Sequence, residues 1–151
     1  MTVAGKLLAT IWRIFEGARI YYPQYNPQDS FDNVDNRLGF PKRCESCWTL
    51  RLEKTAQFSV NNGIGAFTTT LLISPHQDIE RIKDIGMDLA SKYKLEFISR
   101  PFRRLFSQGR KTAKQKALYR QNYCGCVFSE QERQSKIKNF PSKRDPENRE
   151  K

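Results

Sequence analysis

The stretch Ala66-Phe67-Thr68-Thr69-Thr70-Leu71-Leu72-Ile73-Ser74-Pro75-His76-Gln77 decides the fold of this chain. Its first part is rich in β-branched and apolar side chains, which predicts a buried parallel strand that contains Thr68 to Ile73. The residues that follow have the chemistry of a helix start, with Ser74 as the N-cap, Pro75 at the first helical position and Gln77 closing a capping box. A strand that leads directly into a helix is typical of a parallel α/β fold.

Apolar residues at helical spacing continue this pattern on both sides. Downstream, one apolar stripe predicts a helix that leads to a second strand over residues 95–98, and the order strand, helix, strand predicts a parallel crossover. Upstream, another stripe predicts a helix that ends at Asn61-Asn62-Gly63. A further helix is predicted over residues 112–122. The two stripes consist of Ile79, Ile82, Ile85 and Leu89, and of Trp48, Leu52 and Ala56.

These patterns predict an α/β fold with a parallel sheet, formed as one domain by residues 1–130 and followed by a flexible basic tail over residues 131–151. A chain of 151 residues, of which 38% are hydrophobic, is long enough for one core. Its apolar runs are too short to cross a bilayer, and no signal-peptide pattern opens the sequence. We therefore expect a cytoplasmic protein with no membrane partner.

Four cysteines form two pairs, Cys44-x-x-Cys47 and Cys124-Gly125-Cys126. Thiolates are soft metal ligands and strong nucleophiles, so four cysteines in a cytosolic chain favour metal binding or catalysis over structural bridges. A C-x-C pair is too tight for a relaxed disulfide, and a strained bridge there would be easily reduced. We expect the two pairs to meet in space near the C-terminal end of the predicted strand.

The positive charge is concentrated in one segment. The net charge is +11, and residues 97–129 contain no acidic residue. Such a segment attracts phosphates, and interleaved aromatic side chains can stack on unpaired bases. The alternative is a solvated basic face with a few core aromatics, but the adjacent pair of reactive cysteines favours a functional surface. The basic members are Arg100, Arg103, Arg104, Arg110, Lys111, Lys114, Lys116 and Arg120, and the aromatic members include Phe102, Phe106, Tyr119 and Tyr123.

The loop that follows the predicted strand is a second candidate binding element. Ligands of parallel α/β sheets bind at the carboxyl ends of the strands, often where a helix begins. Ser74 and His76 are therefore candidate substrate contacts. His76 is the only histidine of the sequence and a candidate proton donor, although a surface residue without a catalytic role is the more common fate of such a side chain.

Three motifs in this order resemble the QueH-type epoxyqueuosine reductases. The first is Cys44-x-x-Cys47 followed by Arg51-Leu52-Glu53, and the second is the stretch from Phe67 to Pro75. The third is Tyr119-Arg120-Gln121-x-Tyr123-Cys124-Gly125-Cys126-x-Phe128-Ser129. The resemblance extends from about residue 22 to about residue 133, and the order, spacing and identity of all three motifs match.

The resemblance implies a Rossmann-like (HUP-like) three-layer domain and an oxidoreductase that converts epoxyqueuosine to queuosine in the wobble position of tRNA. Cys44 and Cys47 would be ligands of a [4Fe–4S] cluster, with room for an additional iron, and Cys124 and Cys126 would form a redox-active pair. The implied partners are a tRNA with a queuosine-type anticodon and an unidentified electron donor. The expected substrate contacts, from the loop and the basic segment, are Ser74, Arg103, Arg104, Lys111, Lys114, Arg120 and Tyr123.

The opening of the chain departs from the family pattern. Family members begin with a strand that leads into an adjacent Cys-Cys pair, which also ligates iron, and the segment from Met1 to Gly17 does not resemble it. We therefore expect a domain that is partial at its N-terminus. A misassigned start codon, a split or decayed gene, or another chain that supplies the missing segment would each explain the departure. The chain alone is expected to bind iron weakly and to show little activity.

Two other functions remain open from the residues alone. The four cysteines could together ligate one zinc ion that staples a basic RNA-binding module without catalysis, although a short C-x-C loop is unusual for such a site. A thiol oxidoreductase that uses one cysteine pair without metal is a further alternative. It ranks last because no predicted strand directly precedes Cys44, as a thioredoxin-like context would require.

Overall fold

The computed structural model describes residues 19–21, 24, 26–34, 42–100, 102–120 and 123–139. The segment from Met1 to Gly17 and the end of the predicted tail lie outside the described residues. The chain divides into two compact units, Met1–Arg120 and Gln121–Lys151. No helix in the described ranges is both long enough and apolar enough to span a bilayer.

The first unit contains most of the regular structure. Its α-helices are α1 (Pro27–Asn33), α2 (Lys42–Asn61), α3 (Ile79–Tyr93) and α4 (Phe106–Gln115). Its strands are β1 (Ala66–Phe67) and β2 (Glu96–Phe97), and two 3-10 helices span Thr70–Ile73 and Phe102–Leu105. The second unit contains α5 (Val127–Asn139).

The two strands pair in parallel on either side of α3 in the sequence. Ala66 lies opposite Glu96 and Phe67 opposite Phe97. The Ile98 amide donates to the Phe67 carbonyl at 2.9 Å and extends the ladder by one residue. The predicted α/β class is confirmed at this level, as a mostly helical structure with a small parallel sheet, and so is the predicted second strand.

The prediction of a strand from Thr68 to Ile73 is wrong. The first strand ends at Phe67, and residues 70–73 form a 3-10 helix. The Thr69 hydroxyl caps this helix by accepting a hydrogen bond from the Leu71 amide at 3.3 Å. Leu71 and Leu72 are both buried. Consecutive side chains of a strand point to opposite faces, so a tight helical turn is the arrangement that lets both leucines enter one core.

The predicted helix start at Ser74 is also wrong. Asp78 is the N-cap of α3, and its side chain accepts a hydrogen bond from the Arg81 amide at 3.0 Å. Ser74 instead ends the first 3-10 helix, and its hydroxyl accepts from the His76 amide at 3.2 Å. An Asp directly before the apolar stripe is as good a cap as Ser, and it lies closer to the first buried residue.

The predicted apolar stripes of α2 and α3 are confirmed as the core of the first unit. Both stripes are buried against each other and against the aromatic residues of the strands. Leu52, Leu72 and Ile82 are completely buried, and each contributes on the order of 1.5–3 kcal/mol of transfer free energy. The core cluster consists of Trp48, Leu52, Ala56, Phe67, Leu71, Leu72, Ile82, Ile85, Leu89, Ala90 and Phe97.

Three helices of the first unit end in the same way, with one residue of positive φ. The residue is Gly63 after α2, Lys94 after α3 and Ala117 after α4. In each case the next amide reaches back five residues to a carbonyl of the helix, which is the Schellman arrangement. The predicted end of α2 is confirmed, whereas the predicted helix over residues 112–122 is wrong in its bounds because α4 ends at Gln115.

The last helix continues past the predicted start of the tail. α5 extends to Asn139, so residues 131–139 are helical. The domain boundary at residue 130 and a flexible tail stay predictions.

We predict that Gly86→Ala destabilises the first unit. A Cβ atom at Gly86 would lie 2.3 Å from Cε1 of Phe97, and the Phe97 ring is buried against Phe67 with the centroids 5.1 Å apart. Because the ring has little room to move, overpacking should cost about 1–3 kcal/mol in the free energy of unfolding, measured by urea titration.

Gly109→Ala is the matched control, since Gly109 is also helical and a Cβ atom there meets open space. That substitution should stabilise the helix by about 0.5–1 kcal/mol. Equal effects of the two substitutions would contradict the packing of Phe97 under α3.

Candidate functional site

The first cysteine pair lies in the opening turns of α2. Cys44 and Cys47 are half-buried thiols, and Cys44 packs against the core cluster. Their three-residue spacing places them on one face of the helix, which Arg51 shares one turn later. Two thiols in this arrangement suit a soft metal. In the described part of the chain, no three His, Cys, Asp or Glu side chains gather as a metal site.

Two side-chain contacts tie this turn of α2 to the start of α3. The indole Nε1 of Trp48 donates to Oε1 of Gln77 at 2.9 Å. Glu45 forms an ion pair with Arg81. The hydrogen bond from Arg81 is the main cause that lowers the pKa of Glu45, so this carboxylate is charged at neutral pH. The sequence suggests only a capping role for Gln77, and its contact with Trp48 emerges from long-range packing.

The loop between the first 3-10 helix and α3 is held by the second 3-10 helix. Nη2 of Arg103 donates to the carbonyl of Gln77 at 3.0 Å and makes a longer contact of 3.5 Å with the carbonyl of Ser74. Two of the predicted substrate contacts, Ser74 and Arg103, therefore lie together. They meet through a backbone carbonyl, which is a structural contact rather than an open anion site.

Aromatic and basic side chains stack beside the same loop. The rings of His76 and Phe106 meet edge to face with their centroids 6.4 Å apart. The guanidinium of Arg110 lies 5.8 Å from the centroid of the Phe106 ring, at a distance typical of a cation–π contact. His76 thus packs on an aromatic ring, an environment that supports a structural role for this side chain.

The basic segment is open to solvent. Of the predicted contacts in this segment, Arg103, Arg104, Lys111, Lys114 and Arg120 are all exposed. They lie on the second 3-10 helix, on α4 and in the residues that follow it. Phe102 anchors the segment by packing against the core. The segment is therefore a cationic surface on the first unit, while the predicted contact Tyr123 is half-buried in the second unit.

The second cysteine pair lies directly before α5. Gly125 separates the two thiols and has a φ of 85°, which favours glycine. The Ser129 hydroxyl donates to the Cys126 carbonyl at 2.8 Å, and its oxygen lies 3.1 Å from Sγ of Cys124. The hydrogen bond with the Cys126 side chain, followed by burial, raises the pKa of Cys124 well above its ordinary value. Ser129 acts in the opposite direction and lowers it.

The roles that the sequence suggests for the cysteines stay predictions, and the structure describes the local setting of each pair. Cys44 and Cys47 present two thiols from a rigid helix, and Cys124 and Cys126 form a hydrogen-bonded dithiol. The two cysteine pairs belong to different units. That they meet in space stays a prediction.

The sequence did not indicate an open groove of about 550 Å³ beside α2. All of its lining residues except Leu50 are of polar type, and the helical spacing of its α2 residues places them on a different face from Cys44 and Cys47. The groove is lined by Asn33, Lys42, Glu45, Ser46, Thr49, Leu50 and Glu53.

Comparison with known proteins gives one consistent result. The family model described as epoxyqueuosine reductase QueH matches residues 8–132. The epoxyqueuosine reductase QueH of Thermotoga maritima is 42% identical over 105 residues, which cover 68% of this chain and 55% of that protein. The protein of the same name from Dehalococcoides mccartyi is 36% identical over 111 residues, covering 74% of this chain and 60% of that protein. The chain spans about half the length of the curated relatives it matches.

We predict that Cys126→Ala and Ser129→Ala shift the reactivity of Cys124 in opposite directions. A cysteine is alkylated as its thiolate, so a raised pKa moves the reaction to higher pH. Removing the Cys126 side chain removes the main cause of the raised pKa, and the alkylation profile of Cys124 should move to lower pH. Removing the Ser129 hydroxyl should move it to higher pH.

The measurement is the rate of iodoacetamide labelling of Cys124 as a function of pH, followed by peptide mass spectrometry. A shift in the same direction for both variants, or none, would contradict this geometry of the Cys124–Ser129 turn.

Proposed function

The chain belongs to the epoxyqueuosine reductase QueH family, and from this membership we propose that it takes part in reducing epoxyqueuosine to queuosine in the wobble position of tRNA. The observation that carries the proposal is the family match, which includes both cysteine pairs. The match covers 55% and 60% of the length of these two relatives. The activity of the full-length relatives is therefore a proposal for this chain. The small parallel sheet flanked by helices is compatible with a Rossmann-like (HUP-like) three-layer domain, which we also propose.

Cys44 and Cys47 fit two ligand positions of a [4Fe–4S] cluster. They are thiols on one helical face. Cys44 packs against the core cluster, and Trp48, which follows Cys47, is buried and bonded to Gln77. Such clusters are normally held by four cysteines, so the cluster would need further ligands besides Cys44 and Cys47. An additional iron is also part of the proposal. A cluster bound there would supply one-electron chemistry and a Lewis acid for the epoxide oxygen.

The redox balance of the reaction suits a dithiol. Converting an epoxide to an alkene consumes two electrons and two protons and releases the oxygen as water. We propose that the pair Cys124 and Cys126 supplies both by becoming a disulfide, which an unidentified electron donor then reduces. The raised pKa of Cys124 keeps its proton on sulfur at neutral pH, so the resting pair is available as a proton source as well as an electron source.

The basic segment is the proposed tRNA surface. Its exposed cations lie on the first unit, and anticodon-stem phosphates are bound mainly by such charges. A modified wobble base has to leave the stack to reach an active site, and Phe106 with Arg110 offers an aromatic and cationic surface on which such a base can stack. The residues proposed to contact the tRNA substrate are Ser74, Arg104, Lys111, Lys114, Arg120 and Tyr123.

The proposed setting is the cytoplasm, where tRNA is modified. A further proposed partner is a chain or segment that contributes the Cys-Cys pair present in other family members. The zinc alternative remains as a test outcome: a zinc ion with four cysteine ligands would hold both cysteine pairs in one colourless metal centre.

We predict that the two cysteine pairs separate in their effects. After anaerobic reconstitution with iron and sulfide, the double variant Cys44→Ser/Cys47→Ser should lose its iron because it lacks both helix ligands. The variant Cys124→Ser/Cys126→Ser should keep the iron level of the unmodified chain but lose the low turnover that the unmodified chain is expected to show. Iron, sulfide and zinc are measured on the protein, and queuosine is measured by nucleoside analysis of epoxyqueuosine tRNA.

Ser46→Ala is the control, since Ser46 lies between the two cysteines without contributing a thiol. Iron in the unmodified chain should be substoichiometric or labile, because the described helix supplies two of the four usual ligands. Equal metal loss in both double variants, with zinc in place of iron, would overturn the reductase proposal in favour of the zinc-stapled module.

A further inference from the structure

Arg103 belongs to the basic segment by sequence, but its hydrogen bonds go to the loop at residues 74–77, and Gln77 of that loop bonds to Trp48 of the cysteine helix. We propose that Arg103 is a positioning residue: its guanidinium closes the loop at residues 74–77 and, through Gln77 and Trp48, sets the position of the turn that carries Cys44 and Cys47. This assignment replaces the role in tRNA binding that the sequence suggests for Arg103.

Arg103 is anchored by the neighbouring Phe102 and by the short helix on which both residues lie. Phe102, directly before it, packs against the core cluster and fixes the second 3-10 helix. The first and second 3-10 helices contact each other, so Arg103 lies beside the loop that follows the first one. Its Nη2 then donates to the Gln77 carbonyl at 3.0 Å, with the longer contact to Ser74.

Gln77 connects the loop to the helix that carries the cysteines. The same residue whose carbonyl Arg103 holds, Gln77, accepts the indole hydrogen bond of Trp48 at 2.9 Å. Trp48 is 4% exposed and directly follows Cys47 in α2. A displaced Gln77 would leave the buried indole N–H without its acceptor, which is unfavourable enough to move the side chain. Arg103 therefore acts on the cysteine turn through two hydrogen bonds in series.

A positioning role of Arg103 and a phosphate-binding role respond differently to a substitution that keeps the positive charge. The Gln77 carbonyl has no net charge, so this contact needs the reach and planar geometry of the guanidinium as well as its charge. Phosphate affinity depends chiefly on charge, which Lys keeps. Arg104 is the neighbouring exposed cation on the same short helix and has the same formal charge. The pair Arg103→Lys and Arg104→Lys thus keeps the charge and changes the geometry at adjacent positions.

The experiment measures solvent exchange of the Trp48 indole proton by NMR in the full chain without RNA, with the signal assigned by Trp12→Phe. Arg103→Lys should speed this exchange about fivefold, the factor expected when one hydrogen bond is lost, and should raise the labelling rate of Cys44. Arg104→Lys should change neither. An unchanged indole exchange in Arg103→Lys would overturn the proposal.

Two variants of Gln77 test the relay itself. Gln77→Glu keeps an oxygen acceptor for the indole and should retain its protection. Gln77→Met has a similar length without the acceptor and should reproduce the effect of Arg103→Lys. Loss of protection in both, or in neither, would show that the Trp48 contact is not what Gln77 contributes.

The kinetic arm rests on the proposed function and separates its failure from that of the positioning role. Arg103→Lys should lower kcat on epoxyqueuosine tRNA with KM and the salt dependence of tRNA binding unchanged. The triple variant Arg104→Ser/Lys111→Ser/Lys114→Ser should flatten the salt dependence and leave the indole exchange as it was. A chain that binds no tRNA but responds to Arg103→Lys at Trp48 would refute the proposed function and support the positioning role. A flattened salt dependence in Arg103→Ser, with the indole exchange of Trp48 unchanged, would overturn the latter.

Discussion

The packing of α2 against α3 through Trp48 and the residues behind it determines where the first cysteine pair lies. Leu52 and Ala56 bury the middle of α2, and Ile82 and Leu89 meet them from α3. This burial is non-directional, so by itself it would allow α2 to slide or rotate. The indole hydrogen bond to Gln77 and the ion pair between Glu45 and Arg81 add the direction, because each has one partner at the start of α3. The cysteine turn is thereby fixed at its buried side and at its edge.

The two cysteine pairs have different local structures. Cys44 and Cys47 are presented by a regular α-helix. Cys124 and Cys126 flank a glycine of positive φ and share a hydrogen bond, an arrangement that suits a change between dithiol and disulfide. A metal ligand benefits from rigidity, whereas a redox pair has to move as its sulfur atoms approach. The metal-ligand role of the first pair and the redox role of the second stay proposals, and these local structures are the reason for assigning them in this way.

The sequence predicted those parts of the fold that depend on periodicity. The buried stripes of α2 and α3, the end of α2 at Gly63 and the parallel pairing of the strands follow from spacing and turn chemistry that act locally. The strand over residues 68–73 failed because β propensity is a weak preference, and the burial of two consecutive leucines overrides it. The end of α4 failed because Ala117 takes a left-handed conformation that alanine seldom adopts.

The candidate site shows the same division between local and long-range information. The cysteine motifs and the basic segment are visible in the sequence, because both consist of residues that are neighbours along the chain. The contact between Trp48 and Gln77 joins residues 29 positions apart, and that between Arg103 and Gln77 joins residues 26 positions apart. No spacing rule predicts which of several exposed arginines turns toward a carbonyl. The sequence therefore suggested tRNA binding for Arg103, whereas in the fold its guanidinium donates to the Gln77 carbonyl.

The prediction that both cysteine pairs serve one site is tested most directly by thiol cross-linking. The double variant Cys44→Ser/Cys124→Ser leaves one cysteine in each unit, Cys47 and Cys126. A short bifunctional thiol reagent should then join these two within one chain, as read by mass spectrometry of the monomeric fraction. Links only between different molecules, or two singly modified cysteines at full reaction, would contradict a shared site.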